Sequence, residues 1–272
     1  MTTLNLIGAG RVGRTLATLW ARHGVFEIQD VLTSSLASAQ EACTAIGAGS
    51  AVATMAAMRP ADVWMVAVQD ARIAEVASAL AAAQQTGNAK PAVFHCSGAQ
   101  NAGSLRPLAD LGWRTASVHC ILSFANVRAA VQQFAETACA LEGEATACAV
   151  LEPAFRAIGG QCFRVAGEDK VLYHAAAVFA TNFLPVLQSV AEAAWTRSGV
   201  PAELIPHLRA TLLRNAVDNI TRLGPAGALT GPAARGDVAA IERQAAVVSD
   251  WDAPSGDAYQ ALSALALRLA GH

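Results

Sequence analysis

The first residues that could do chemistry form a glycine-rich turn near the start of the chain. Residues 8–13 read G-x-G-x-x-G, after a short apolar run at 4–7 and before a helical pattern. Such glycines allow a tight turn and let a pyrophosphate approach the first amides of the helix. We therefore predict a dinucleotide site, the alternative being a similar turn without a ligand. The predicted cofactor-binding residues here are Gly8, Gly10, Arg11, Val12 and Gly13.

Polar residues also follow three apolar runs that we predict as neighbouring strands. Val68 ends the first run, Ser97 follows the second and His119 ends the third. Ligands of open α/β sheets bind at the carboxyl ends of the strands, so these residues are expected at one edge. Val68 would line the cofactor, while Ser97 and His119 could exchange hydrogen bonds with a substrate. The alternative is local: Ser97 makes a turn and His119 satisfies backbone carbonyls.

A polar stripe interrupts a later apolar segment. Lys170 and His174 are four residues apart and Thr181 is seven further on, so on a helix they fall within about 40° of one another. Asn182 flanks this stripe and is a predicted substrate contact. A lysine or histidine here could protonate a carbonyl oxygen or an imine nitrogen. For Lys170 the alternative is a solvated residue in the first helical turn.

A glycine- and proline-containing loop at 229–236 carries the last candidate, Arg235. An arginine can clamp a carboxylate or phosphate in bidentate geometry, so Arg235 is predicted to bind substrate, or else to link two subunits. Asp237 is expected to cap the next helix. The cysteines show no C-x-x-C pair or zinc spacing, and we predict no metal.

The tip of the second predicted strand bears on the choice of cofactor. NAD-binding folds place an acid there, whereas residues 33–35 read Thr-Ser-Ser and the nearest acid is Asp30. Hydroxyl groups can donate to a 2′-phosphate, and the missing carboxylate removes repulsion, which favours NADP over NAD; a reduced deazaflavin is a further alternative. Arg11 is the nearby cation, and the alternative is that 33–35 only caps a helix. The predicted contacts of this tip are Thr33, Ser34 and Ser35.

Apolar runs and helical patterns alternate through the first half of the chain. Strands are predicted at 4–7, 26–32, 51–53, 62–68, 92–95, 115–119, 137–141 and 162–165. Repeated β-α units predict an α/β fold with a doubly wound, mostly parallel Rossmann sheet. Helical patterns alone follow, at 170–198, 202–223, 237–249 and 257–270. We predict a dinucleotide-binding domain at 1–167 and an all-α domain for substrate binding and dimerisation at 168–272.

Composition restricts the partners. The chain has 272 residues, of which 15% are charged, and a net charge of -2, which argues against nucleic acid and anionic membranes. The apolar segment 171–195 contains polar residues such as His174 and Glu192, so we predict a buried helix rather than a membrane span. No basic region precedes the first predicted strand, and a cytoplasmic protein with reduced thiols is expected.

Five motifs together resemble a bacterial family that pairs a Rossmann-like domain with a C-terminal helical domain of unknown function. They are 8–13, 95–99 (HCSGA), 117–124 (SVH followed by SF at 123–124), 173–177 (YHAAA) and 230–237 (TGPAARGD). The resemblance covers essentially the whole chain. Members are generally labelled NADP-dependent oxidoreductases, similar to pyrroline-5-carboxylate reductase, ketopantoate reductase and the β-hydroxyacid dehydrogenases. It implies a helical domain that often forms a dimer.

Three positions depart from these patterns. The dehydrogenases pair a catalytic lysine with an asparagine one turn later, whereas His174 follows Lys170 here. The family commonly has a proline where this chain has Cys120, and a basic residue near the tip occupied by 33–35. The dehydrogenase mechanism therefore does not transfer directly.

The resulting hypothesis is an NADP-dependent oxidoreductase that moves a hydride between nicotinamide and a small polar carbonyl, hydroxyl or imine substrate. The predicted catalytic residues are Ser97, His119, Lys170 and His174. The alternatives are a nucleotide-binding sensor or partner protein without turnover, and a deazaflavin-dependent oxidoreductase. A homodimer through the helical domain is expected.

Overall fold

In residues 1–84 and 90–272, which this computed structural model describes, eight strands form one sheet. They are β1 (Thr3–Ile7), β2 (Glu27–Leu32), β3 (Ser50–Val52), β4 (Val63–Val66), β5 (Ala92–His95), β6 (Arg114–Cys120), β7 (Ala138–Gly143) and β8 (Gln161–Arg164). Their order is β3-β2-β1-β4-β5-β6-β7-β8. The β6–β7 pair is antiparallel and the other pairs are parallel. The predicted Rossmann sheet is confirmed.

Helices connect these strands and make up most of the remaining chain. They are α1 (Arg11–His23), α2 (Leu36–Ile46), α3 (Ile73–Ala83), α4 (Arg106–Ala109), α5 (Val127–Gln133), α6 (Ala145–Ala157), α7 (Lys170–Ala177), α8 (Phe183–Arg197), α9 (Ile205–Ala228), α10 (Val238–Trp251) and α11 (Ala253–Ala270). After β8 the chain is helical and the predicted helix-rich C-terminal region is confirmed. Short α5 was not predicted, because its seven residues are too few for a clear helical period.

Two apolar cores lie on the two faces of the sheet. Successive strand residues point to opposite faces, so Met65 of β4 joins one core and Trp64 joins the other. The first core contains Trp20, whose ring packs edge-to-face against Phe94 at 6.2 Å and against Phe155 at 5.2 Å. These cores fix the central strands, and thereby the loops at their carboxyl ends.

The chain divides into two compact units, Met1–Val178 and Phe179–His272. The first unit extends beyond the boundary predicted at residue 167 because α7 packs with the sheet. Lys170, the first residue of α7, is only 1% exposed. The segment predicted as one helix over 170–198 consists of α7, a π-helical turn at Val178–Asn182, and α8.

The prediction that 171–195 is buried is wrong. Val171 and Leu172 are 69% and 75% exposed, and Phe179 and Val186 are also more than half exposed. Within the part of the chain that the structure covers, one helical segment, Gly167–Arg197, is long and apolar enough to cross a membrane by length and composition. None of its apolar window is buried. The polar residues of this segment argue against contact with lipid. They do not show that another part of the chain covers its apolar side chains.

Candidate functional site

The glycine turn joins β1 to α1 and lines a cavity of about 470 Å³. Gly8 has a φ of +85°, and a Cβ added there would lie 2.5 Å from the carbonyl oxygen of Ala67. A Cβ on Gly13 would lie 2.6 Å from the carbonyl oxygen of Gly8. Both positions therefore require glycine, one for the turn and one for close contact between helix and strand.

Gly10 has a different environment. It is the N-cap of α1, and a Cβ added to it would meet no atom within 4 Å. Gly10 also lines the cavity, at the point where the first N–H groups of a helix have no intrahelical acceptor. Open space beside such donors fits the pyrophosphate of a dinucleotide.

The structure separates the predicted cofactor-binding residues into two groups. Those that line the cavity are Gly8, Gly10, Thr33, Ser34 and Val68. The others have different contacts: Arg11 donates to the carbonyl oxygen of Ala125 at 3.3 Å, and Ser35 caps α2 by accepting from the amide of Ser38. Capping, the alternative considered for 33–35, is thus seen at Ser35.

Asp30, the acid nearest to the tip of β2, is held by an arginine. It is 1% exposed and accepts from the Arg59 guanidinium at 2.6 Å and from the Arg59 amide at 2.7 Å. Its carboxylate is therefore used within the protein. A cation that the sequence analysis missed, Arg72, lines the cavity together with Thr33 and Ser34.

A second cavity of about 300 Å³ contains three of the four predicted catalytic residues, Ser97, His119 and His174. Val12 also lines it, two residues after Gly10 of the first cavity, and Asp70 lines it directly after Gln69 of the first. The same two loops therefore line both cavities. One extended molecule lying along these loops could occupy them together.

His119 is hydrogen-bonded to Tyr173, which belongs to the motif at 173–177 but was not predicted to act in the site. Its Nδ1 lies 2.9 Å from the Tyr173 hydroxyl. Burial raises the pKa of Tyr173 to about 12, so the phenol keeps its proton and can donate. Burial, with the nearby His174 and Lys170, lowers the pKa of His119 to about 4. We infer a neutral ring that accepts at Nδ1 and carries its proton on Nε2.

His174 stands beside His119, with ring centroids 5.5 Å apart. Its Nδ1 is buried and has no hydrogen-bond partner among the described residues. Gly98 makes room for both rings, because a Cβ there would lie 2.9 Å from Nε2 of His119 and closer still to Nδ1 of His174. Buried nitrogens are normally paired, so this one is unusual, and His174 also lines the second cavity.

The loop after β5 is held by internal hydrogen bonds. The Ser97 amide donates to Nδ1 of buried His95, whose Nε2 lies 3.0 Å from the carbonyl oxygen of Asn101. The Ser97 hydroxyl donates to Asp70 at 2.6 Å and accepts from the Gln100 amide at 2.9 Å. Ser97 therefore lines the cavity with a hydroxyl that is already used to shape the loop.

Lys170 points into the protein. Its ammonium group donates to the carbonyl oxygen of Ser97 at 2.8 Å and to the Ser117 hydroxyl at 2.5 Å. Burial lowers the pKa of Lys170, and the Glu142 carboxylate acts in the opposite direction. Lys170 and His174 do share one face of α7, as predicted, and both reach the loop that contains Ser97 and Gly98.

The two predicted substrate contacts lie in the second unit. Asn182 is exposed at the end of the π-helical turn and accepts from the hydroxyl of Thr181 at 3.0 Å. Arg235 is exposed in the short 3-10 turn Ala233–Arg235, and Asp237 caps α10 through the amide of Ala240. Binding of substrate by Asn182 and Arg235 stays a prediction.

The surroundings of the thiols near the site favour their protonated form. Burial raises the pKa of Cys96 to about 12, and a hydrogen bond with Cys139 together with burial raises that of Cys120. Thiols that stay protonated are poor nucleophiles, which supports a packing role. In residues 1–84 and 90–272, no group of three or more His, Cys, Asp or Glu side chains is placed to hold a metal.

Family models match both halves of the chain. A model described as a Rossmann-like domain matches residues 2–120, and a domain of unknown function, DUF2520, matches residues 137–266. A search of the curated proteins finds no match.

Solved structures with the same fold cover almost the whole chain. Protein TM1727 from Thermotoga maritima is 25% identical with a TM-score of 0.77, covering 99% of this chain and 98% of its own. BF3122 from Bacteroides fragilis, named provisionally as an NADP oxidoreductase, is 22% identical with a TM-score of 0.74 and 98% of each chain covered. Pyrroline carboxylate reductase from Plasmodium falciparum, solved with NADP bound, is 14% identical with a TM-score of 0.59, covering 99% and 98%.

These matches agree with the family resemblance found in the motifs. The glycine turn lies inside the Rossmann-like match, while α7 with Lys170 and His174 lies inside the DUF2520 match. The chain is therefore similar to a Rossmann-like domain over residues 2–120 and to the domain of unknown function DUF2520 over residues 137–266.

Proposed function

We propose that this protein is an NADP-dependent oxidoreductase acting on a small polar carbonyl, hydroxyl or imine substrate. The observation that carries the proposal is that residues of the same two connections, after β1 and after β4, line both cavities. A dinucleotide lying over Gly10 would extend toward His119 and His174 in the second cavity. The NADP-related names of two proteins with this fold support the choice of cofactor.

A bound nicotinamide nucleotide would supply or accept the hydride, and the protein would have to hold the polar atom of the substrate. His119 is suited to this task because its Nε2–H is free to donate while Tyr173 occupies Nδ1. A ring whose pKa is lowered to about 4 stays neutral near pH 7. It therefore acts as a hydrogen-bond donor to a carbonyl oxygen or imine nitrogen, and the Tyr173 hydroxyl, donating to Nδ1, keeps the proton of the ring on Nε2.

The neighbouring residues have supporting roles in this proposal. His174 lines the same cavity and packs its ring against that of His119. Ser97 and Lys170 are positioning residues, because the lysine holds the Ser97 carbonyl and the serine hydroxyl is bound to Asp70. Together they fix the loop after β5, whose Gly98 lies against the rings of His119 and His174.

Two measurements test the proposal. Thermal unfolding is first followed with NADPH, NADH and a reduced deazaflavin, and we expect the largest rise in melting temperature with NADPH. NADPH oxidation is then measured against a panel of small ketones, aldehydes and cyclic imines. His119→Gln should abolish turnover with nucleotide binding intact, while His23→Gln, at the exposed end of α1, should leave both unchanged.

No stabilisation by any of these nucleotides would refute the enzyme and the cofactor together. If only the deazaflavin raised the melting temperature, the proposed cofactor would be a deazaflavin and not NADP. Full turnover in both His119→Gln and His174→Gln would leave the oxidoreductase standing and refute this assignment of its site.

We also propose a homodimer formed through the helical unit. On α9, Leu212, Ile220 and Leu223 are each about half exposed, at 51%, 49% and 50%. Apolar side chains repeated along one helix are typical of surfaces that another chain covers. Light scattering after size-exclusion chromatography should give twice the chain mass of 28.0 kDa, and a monomer at micromolar concentration would refute the proposal.

A further inference from the structure

We infer that Arg72 binds the 2′-phosphate of NADP and sets the preference of this site for NADP over NAD. This inference rests on the proposed function, because it requires a nicotinamide dinucleotide in the cavity beside the glycine turn. A search for a basic residue at the tip of β2, where NADP-binding sequences commonly have one, does not identify Arg72. Arg72 lies in a different connection, the 3-10 turn Asp70–Arg72 that follows β4.

Sheet order brings Arg72 to the tip of β2. Strand β1 lies between β2 and β4, so the connections that follow these two strands flank the glycine turn. Arg72 lines the 470 Å³ cavity together with the hydroxyl-bearing residues Thr33, Ser34 and Ser38. The cation that is missing at the β2 tip is thus supplied from the β4 side of the same cavity.

The charges around this cavity favour an anion. Among its lining residues in the described chain, Arg72 is the only one with a charged side chain. Asp30, which could otherwise accept a ribose hydroxyl as in NAD-binding sites, is occupied by Arg59. Thr33 donates its hydroxyl to the carbonyl oxygen of Ser35 at 2.9 Å, so the site presents the Arg72 guanidinium and the hydroxyl groups of Ser34 and Ser38, which together can bind a phosphate dianion.

Arg72 is available for such a ligand. Its guanidinium contacts Glu75 at 3.2 and 3.3 Å, and the two side chains are 54% and 67% exposed. Exposed pairs of this kind contribute little to stability, so the arginine can exchange Glu75 for a more highly charged phosphate. The guanidinium could instead stack on the adenine, in which case it would serve NADPH and NADH equally.

The test is a comparison of dissociation constants for NADPH and NADH by isothermal titration calorimetry. In Arg72→Gln we expect NADPH to bind roughly 10- to 100-fold more weakly, the range for a lost charge-assisted hydrogen bond, with NADH changed by less than about threefold. Arg72→Lys should fall between wild type and Arg72→Gln. Arg106→Gln is the matched control, since Arg106 forms a similar exposed pair with Asp110 but does not line the cavity.

A second probe separates phosphate recognition from nicotinamide binding. Adenosine 2′,5′-bisphosphate should bind the wild type more tightly than 5′-AMP, and Arg72→Gln should remove this difference. An equal loss for NADPH and NADH, or an unchanged NADPH-to-NADH ratio, would overturn the role of Arg72 and leave the oxidoreductase intact. A wild type that binds neither dinucleotide would overturn the proposed function and this inference with it.

Discussion

Replacing Gly10 with alanine gives the sharpest test of the glycine turn. Gly10 has φ -70° and ψ -167°, which are extended values that alanine also adopts, and a Cβ there meets no protein atom within 4 Å. Alanine is a poorer N-cap than glycine, but it also reduces the entropy of the unfolded chain. These opposing effects should keep the change in unfolding free energy within about 1 kcal/mol.

The same methyl group should weaken binding strongly. It would enter the cavity beside the first amides of α1, where the proposed pyrophosphate lies. Forcing a methyl group into an occupied, close-packed space typically costs about 1–3 kcal/mol. The same loss of binding free energy would raise the dissociation constant for NADPH by roughly 5- to 150-fold. The prediction is thus a protein of normal stability that binds NADPH poorly.

The assay pairs urea unfolding with NADPH titration, and Gly13→Ala is the matched control. There the added Cβ would lie 2.6 Å from the carbonyl oxygen of Gly8, so the fold itself must shift. We expect Gly13→Ala to lose about 1–3 kcal/mol of stability without any ligand present. Unchanged NADPH binding by Gly10→Ala, or a larger stability loss than in Gly13→Ala, would refute the assignment of this space to the cofactor.

Three further predictions concern the residues around the second cavity. Burial lowers the pKa of His95 from 6.5 to about 4. Between these two pH values the unfolded chain binds a proton that the native state does not. The free energy of unfolding should therefore fall by up to about 3 kcal/mol as the pH is lowered through this range. Urea unfolding at pH 7 and pH 4.5 should show a smaller difference in His95→Gln, and an identical difference would contradict this cause. In Tyr173→Phe, nitrogen-15 NMR should show mixed tautomers of His119 in place of the Nε2–H form, whereas an Nδ1–H form in the wild type would exclude our mechanism. Lys170→Met should lose about 1–3 kcal/mol in chemical denaturation, because it leaves the Ser97 carbonyl without its donor, and a fully stable variant would show that this contact is dispensable.

Local patterns in the sequence were sufficient for most of the secondary structure and for the glycine turn. The strand predicted at 92–95 has the observed bounds Ala92–His95, since a short apolar run before a turn is a strong local signal. The close contacts of Gly8 and Gly13 are also local, because the geometry of a strand–turn–helix connection depends on neighbouring residues. Helical periodicity likewise placed Lys170 and His174 on one face of α7.

Contacts between distant segments were beyond the reach of these patterns. The pairing of Tyr173 with His119 joins residues 54 positions apart, and nothing in either motif indicates it. Lys170 looked equally suited to solvent or catalysis, and only the sheet beneath α7 shows that it is buried against Ser97 and Ser117. Arg72 is far along the chain from the tip of β2, and only the sheet order brings the connection after β4 next to that tip.

The sequence by itself determined the Rossmann-like domain, the following helical domain and the strand ends at which a ligand would bind. These properties follow from hydrophobic periodicity and from glycines whose effect is confined to one turn of chain. The tertiary structure decided which polar groups at those strand ends remain available: Ser97 and Asp30 are used internally, while His119, His174 and Arg72 face cavities. The physical reason is that a side chain's hydrogen-bond partners and burial depend on what the fold packs against it, and these neighbours come from other parts of the chain.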